Sequence, residues 1–225
     1  MNKGLYAQSV TKRYLGGGDE VRAVDAVDLT VSLGEFVAIV GPSGSGKSTL
    51  LHILGGLEKP TRGQVFFDGD DIYRKGDHAL SAWRNETVGF VFQFYHLLGE
   101  LTVAENVALP ALLKGRSRKS ALKKSRELLQ YLGISEKKNS FPSQLSGGQK
   151  QKVAFARALI NDPDILFCDE PTGNLDGESA EKVMAFLSDW HRKKQKTVIM
   201  VTHNRELARE AGRLLHLRDG RLGQA

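Results

Sequence analysis

Cysteine is almost missing from this sequence, with one thiol, Cys168, in 225 residues. A lone thiol cannot close an intramolecular disulfide or supply the several thiolates of a structural zinc site, so disulfide scaffolds and cysteine-zinc modules are excluded. Long hydrophobic runs are missing too. The apolar stretches, such as residues 36–40 and 197–201, fall far short of the ~18 residues that a bilayer-crossing helix needs. The first ten residues, MNKGLYAQSV, hold no apolar core of the kind that defines a secretory signal, so the chain is expected in the cytosol. Internal repeats, low-complexity tracts and long heptad runs are absent as well.

What is present suffices for a core. Hydrophobic residues make up 40% of the chain, and a chain of this length buries roughly 70–75% of its unfolded surface, which excludes disorder for the bulk of it. Length alone gives a prior of one to two domains. The charge balance is basic, net +6, and is compatible with nucleic acid, an anionic membrane surface or anionic ligands. The densest basic stretch, residues 114–126 (KGRSRKSALKKSR), has no aromatic side chain to stack on a base. It reads as a solvated helix face, with a phosphate or headgroup contact as the alternative.

Along the chain, short β-rich segments alternate with helical ones. Strands are expected near 5–10, 21–24 and 28–31, with Gly16, Gly17 and Gly18 marking a loop between the first two. A buried strand at 35–40 runs into a glycine-rich loop and a helix. A β-rich stretch around 65–72 with an Asp68-Gly69 turn, a helix near 77–86 and a strand at 88–92 follow. Residues 102–132 read as wholly helical, with Pro110 and the Gly115 region as breaks, and a further helix follows Ser146. The α/β pattern resumes with a strand at 165–168, a helix from about 178 to 191, a strand at 197–201, a helix after Asn204 and a strand near 214–217. Such alternation predicts an α/β fold with a parallel sheet flanked by helices and a helical insertion.

Three motifs carry chemistry. Gly41-Pro42-Ser43-Gly44-Ser45-Gly46-Lys47-Ser48 fits the phosphate-loop pattern, placed after a strand and opening a helix. Its glycines let successive backbone N–H groups converge, and the helix start adds about half a positive charge. Lys47 is expected to reach the β- and γ-phosphates, Ser48 to ligate Mg²⁺ and Thr49 to support the α-phosphate. In the second motif, four apolar residues from Ile165 lead to Asp169 and Glu170 at a strand's C-terminal end, where ligands gather in open α/β sheets. Asp169 is expected to hold Mg²⁺ through water and Glu170 to polarise the attacking water. The third motif is Leu145-Ser146-Gly147-Gly148-Gln149, a Ser-capped helix start with exposed backbone N–H groups ahead of an apolar-periodic segment.

Together these motifs resemble those of the ATP-binding-cassette (ABC) ATPases, and the resemblance runs along nearly the whole chain. It implies a P-loop NTPase core with a mostly parallel sheet, an N-terminal antiparallel β subdomain and an inserted α-helical subdomain. Residues 1–225 would form one ATP-binding domain, with the core about 1–92 and 162–225 and the helical subdomain about 93–161. The resemblance further implies that Gln93 joins Mg²⁺ and the reacting water to the helical subdomain and that His203 contacts the γ-phosphate. Tyr14 would stack on adenine. Asp176 would stand at a head-to-tail dimer interface, where Ser146, Gly147, Gly148 and Gln149 of one subunit close over the ATP of another.

Within the family, the stretches LLHILGGLEKPTRG and VGFVFQFYHLLGELTVAENVALP resemble a branch of lipoprotein-releasing, macrolide-export and cell-division ATPases, the first of these most of all. Gly99 stands where that branch commonly has proline, and Lys150 and Lys152 stand where it has Gln and Arg. The resemblance implies a second ATPase copy and an integral membrane permease as partners, no nucleic acid, and a peripheral place on the cytoplasmic face of an inner membrane. The resemblance implies that the apolar segment 94–101, with Phe94, Tyr95, Leu97 and Leu98, docks that permease, with ordinary core packing as the alternative.

Overall fold

The computed structural model describes residues 3–16 and 19–224; Gly17 and Gly18 of the expected glycine loop lie outside the described residues. In chain order the first elements are β1 (Gly4–Gly16), β2 (Asp19–Ser32), β3 (Phe36–Val40), α1 (Lys47–Leu54), β4 (Arg62–Phe67) and β5 (Asp70–Asp71). Next come α2 (Asp77–Thr87), β6 (Val88–Val91), α3 (Val103–Leu113), α4 (Arg118–Tyr131), α5 (Gly147–Leu159), β7 (Ile165–Asp169) and α6 (Gly177–Lys194). The last are β8 (Thr197–Thr202), α7 (Arg205–Ala208), β9 (Arg213–Arg218) and β10 (Arg221–Gln224). The chain divides into two compact units, one of Met1–Ser81 with Ser188–Ala225 and one of Ala82–Leu187.

In the first unit β1 pairs antiparallel with β2 on one side and β4 on the other. The two strands expected at 21–24 and 28–31 are one strand. Asp25 resembles a turn residue, but the irregularity is absorbed by Ala26 in the left-handed region (φ 48), whose N–H donates to Thr11 Oγ1 at 3.0 Å, and the pairing resumes beyond it. Asp68 and Gly69 both take positive φ in the tight turn from β4 to β5, as expected.

Every residue of β3 and of β8 is buried. β3 lies parallel between β8 and β9, and β10 closes back antiparallel on β9. A parallel strand covered on both faces has no polar face to show in its sequence, which is why β3 and β8 read as unbroken apolar runs.

In the second unit β6 and β7 pair in parallel from Val88↔Ile165 to Val91↔Cys168. α3 opens on a capping box, Thr102 with Glu105. The buried Asn106 ties the preceding loop down, accepting from Leu98 N at 2.8 Å and donating to the carbonyls of Leu98 and Leu101 at 3.0 Å. Pro110 does not break α3. Its fixed φ is compatible with the helix, at the loss of one N–H bond, and its own carbonyl stays in use, accepting from Lys114 N and Asn85 Nδ2 at 3.1 Å. The break falls at Gly115, whose φ of 85 ends the helix.

Candidate functional site

Six residues, 41–46, join the end of β3 to the start of α1. Gly44 and Gly46 take φ of 76 and 96. A Cβ on Gly46 would lie 1.9 Å from the carbonyl oxygen of Ala23, and one on Gly41 would lie 2.1 Å from that of Leu217, so neither position admits a side chain. Gly46 caps α1 with no side-chain hydrogen bond, and the first turn holds no acid. The partial positive charge of the helix start therefore faces the loop unneutralised by any carboxylate of its own turn. Lys47 is buried, and its ammonium donates to the carbonyls of Gly41 and Pro42, both at 2.9 Å.

Tyr14, on β1, stands beside this loop and helix. Its hydroxyl donates to the Glu58 carboxylate at 2.8 Å and lies 3.5 Å from Thr49 Oγ1, with the Lys12 ammonium 5.3 Å from the ring centre. Burial raises its pKa, the Glu58 carboxylate adds to the rise, and the Thr49 hydrogen bond opposes it. The residue is 40% exposed. Ser48 is exposed at the first turn of α1.

β8 runs parallel to β3 in the register Val40↔Thr202, so the phosphate loop and His203 leave neighbouring strands at the same level. His203 is exposed. Asn204 caps α7 just after it, accepting from Glu206 N at 3.0 Å and Leu207 N at 3.2 Å.

In the second unit β7 is buried until its last residue, Asp169, and Glu170 follows in the left-handed region with φ 45. A non-glycine residue held there stores strain, a condition that clusters at functional positions. The next turn is pinned by Gly173 N to Glu170 O at 3.0 Å and Leu175 N to Thr172 O at 3.1 Å. Gln93, beyond β6, lies on that turn: its carbonyl accepts from Asn174 Nδ2 at 2.9 Å, and a Cβ on Gly173 would come within 2.9 Å of Gln93 Nε2.

Ser146 caps α5 as expected. Its hydroxyl accepts from Gln149 N at 3.3 Å, and Gln149 Oε1 accepts from Ser146 N at 3.0 Å. The hydroxyl keeps its own proton for donation. A Cβ on Gly147 would meet Tyr95 Oη at 3.2 Å, and one on Gly148 would meet Ser179 Oγ at 3.2 Å. Asp176 caps α6 by accepting from Ser179 N at 2.9 Å and Ser179 Oγ at 2.8 Å, and these bonds hold its carboxyl below the usual range. The second unit thus gathers Gln93, the turn after Glu170, the start of α5 and the start of α6 in one neighbourhood.

Two contributors carry little local signal in the sequence. Asn174 lies two residues before Asp176, and its side-chain amide donates to the Gln93 carbonyl. Arg157 donates to the carbonyls of Tyr95 and His96; its signal was a lone cation in the apolar run AFARALI. Among the described residues no three His, Cys, Asp or Glu side chains form a group able to hold a metal. No helix among them is long and apolar enough to cross a membrane.

Residues 24–173 match the family model described as ABC transporter. The chain is 47% identical over 222 residues to the lipoprotein-releasing system ATP-binding protein LolD of Geobacter metallireducens, covering 99% of each. It is 47% identical over 215 residues to the macrolide export ATP-binding/permease protein MacB of Chlorobaculum tepidum, covering 94% of this chain and 32% of that protein. Among solved structures it is similar to the dimeric post-hydrolysis state of the ATP-binding cassette MJ0796 bound to ADP and Pi, with a TM-score of 0.91, 40% identity and 98% of each chain covered.

Proposed function

The chain belongs to the ABC transporter ATP-binding family and is an ATPase of it, and from that premise we propose that it powers a membrane permease that releases lipoproteins from an inner membrane. The observation that carries this reading is the likeness to a lipoprotein-releasing ATPase over nearly the full length of both chains. In this reading ATP is the substrate. Water attacks the γ-phosphorus, the bond to the β-phosphate oxygen breaks, and ADP and phosphate leave. Glu170 draws the proton from the attacking water, Lys47 and the N–H groups of the loop hold the β- and γ-phosphates, and His203 contacts the γ-phosphate. Tyr14 supports adenine with its partly exposed ring.

The oxygen donors Ser48, Asp169 and Gln93 suit Mg²⁺, a hard cation that takes one or two protein oxygens and completes its shell with phosphates and water. When bound, Mg²⁺ neutralises charge on the β- and γ-phosphate oxygens. Ser146, with its free hydroxyl proton, and the N–H groups of Gly147 and Gly148 are read as the cover over the nucleotide of a second copy. One helix start is worth only about 0.3–1 kcal/mol to an anion, up to ~2 when partly buried, so a strong polyanion such as ATP is required to hold two copies.

Phe94 is 70% exposed and Leu98, four residues on, is 45% exposed, which supports a permease contact on the segment after Gln93. Tyr95 is turned toward Gly147 and is only half-exposed, which makes Phe94 the better probe of that contact. The deciding experiment is to purify the tagged chain from gently solubilised membranes and identify its companions by mass spectrometry. A permease pair with few membrane helices and large extracytoplasmic domains supports lipoprotein release. An export or cell-division permease moves the function within the branch, and no membrane companion overturns it.

A further inference from the structure

The basic stretch noted in the sequence folds into the turn after α3 and the first two-thirds of α4. Residues 114–126 hold seven cations and no acid. Two of the seven have partners: Lys114 meets Glu86 at 3.5 Å and Arg118 meets Glu105 at 3.1 Å. Arg116, Lys119, Lys123, Lys124 and Arg126 form no ion pair among the described residues. The buried stripe of α4 is Ala121, Ser125 and Leu129, spaced by four, so Lys119, Lys123 and Arg126 stand on the outward face.

Helix stability does not account for this placement. The first turn of α4 has no acid and begins Arg118-Lys119, cations set against the positive end of the helix dipole. The apolar neighbour points the same way. Leu113, the last residue of α3, is 75% exposed and immediately precedes the first of the cations, Lys114. Clustered lysines and arginines beside an exposed aliphatic side chain suit a surface with anionic headgroups over hydrocarbon. Single-stranded nucleic acid is the weaker fit, because the stretch offers no ring for a base to stack on.

We propose that the turn at residues 113–116 and the outward face of α4 form an anionic-lipid contact, with Arg116, Lys119, Lys123 and Arg126 on headgroup phosphates and Leu113 entering the interface. This contact is separate from the permease-docking segment at Phe94 and does not depend on the identity of the permease. It gives the ATPase a direct hold on the bilayer surface, weakened by salt as any counterion-driven contact is.

The test is sedimentation of the purified full-length chain with vesicles of phosphatidylcholine alone, or with roughly one-third phosphatidylglycerol. The chain is expected to pellet with the anionic vesicles and to bind neutral ones at least about tenfold more weakly. The triple variant Lys119→Glu/Lys123→Glu/Arg126→Glu is expected to lose at least about tenfold of the anionic binding while its ATP hydrolysis is unchanged. The neutral triple variant, with Gln at the same positions, serves if the reversed one fails to fold. Failure to bind, equal binding to neutral vesicles, undiminished binding by a folded triple variant, or tighter binding to a nucleic acid at the same salt would each overturn the proposal. None of these outcomes bears on ATP hydrolysis or on which permease co-purifies.

Discussion

Arg157 donates from its guanidinium to the carbonyl oxygen of Tyr95 at 2.6 Å, and also to that of the adjacent His96. Both acceptor residues are held in the left-handed region, Tyr95 with φ 60 and His96 with φ 47. Arg157 lies on α5, the helix whose start carries Ser146, so that helix is fastened to the strained segment following Gln93. Burial lowers the pKa of Arg157 from its ordinary value.

Replacing Arg157 by Met is expected to remove two charge-assisted bonds and to cost about 2–4 kcal/mol in urea unfolding. Arg157→Lys is expected to restore less than half of that loss, because an ammonium lacks the planar fork that spans two carbonyls.

Lys47→Ala removes the ammonium that sits among the loop carbonyls. Steady-state phosphate release is expected to fall by about 10²–10³, the usual cost of losing one preorganised group facing developing charge. The melting temperature measured without nucleotide is expected to move by no more than a few degrees.

Glu170→Gln keeps the size of the side chain and removes its basicity. Hydrolysis is expected to drop by about 10²–10⁴, and light scattering is expected to find a dimer at saturating ATP. A strictly monomeric variant under those conditions would count against the head-to-tail reading.

Two carboxylates tie stability to acid pH. Glu105 is held below its ordinary 4.5 by the hydroxyl and N–H of Thr102, and Asp176 below its ordinary 3.8 by Ser179 N and Oγ. A carboxyl depressed in the folded state contributes stability that is complete above its unfolded value and is lost as pH falls through the folded one. Urea midpoints are therefore expected to decline from about pH 4.5 downward. Glu105→Gln and Asp176→Asn are each expected to flatten that decline while lowering the plateau at neutral pH.

Cys168 is fully buried in β7, and burial, with the Asp169 carboxylate beside it, pushes its thiol well above the usual range. No reaction with a thiol reagent is expected in the folded protein, and one equivalent is expected in denaturant.

The buried parallel strands and the chemical motifs were legible because each had a strong local pattern: β3 and β8 as apolar runs, the phosphate loop by its glycines, and the cap of α5 by Ser146 with Gln149. What escaped was set by tertiary partners. The continuity of β2 rests on the Thr11 hydroxyl reaching Ala26, a contact across the sheet that no window around residue 26 reveals. The passage of α3 through Pro110 is supported from α2 by Asn85. The β9–β10 hairpin turns on Asp219-Gly220, both at positive φ, a signal of the same kind as Asp68-Gly69. Arg157 lay hidden in an apolar helix because its acceptors are backbone carbonyls some sixty residues earlier in the chain.

The close approach of Gly46 to Ala23 has a temporal side. Gly220 N donates to Ser45 O at 3.1 Å, and missing Cβ atoms at Gly46 and Gly220 both face the Ala23 carbonyl. The nucleotide cradle is therefore walled by segments from near residue 23 and from residues 217–220 at once. On a ribosome the loop is translated about 170 residues before the segment that forms its rear wall. A nascent chain arrested before residue 217 would display the complete phosphate-binding motif without the shape that gives it affinity. Such long-range closure is slow in folding and postpones ATP capture until the segment at 217–220 has been made.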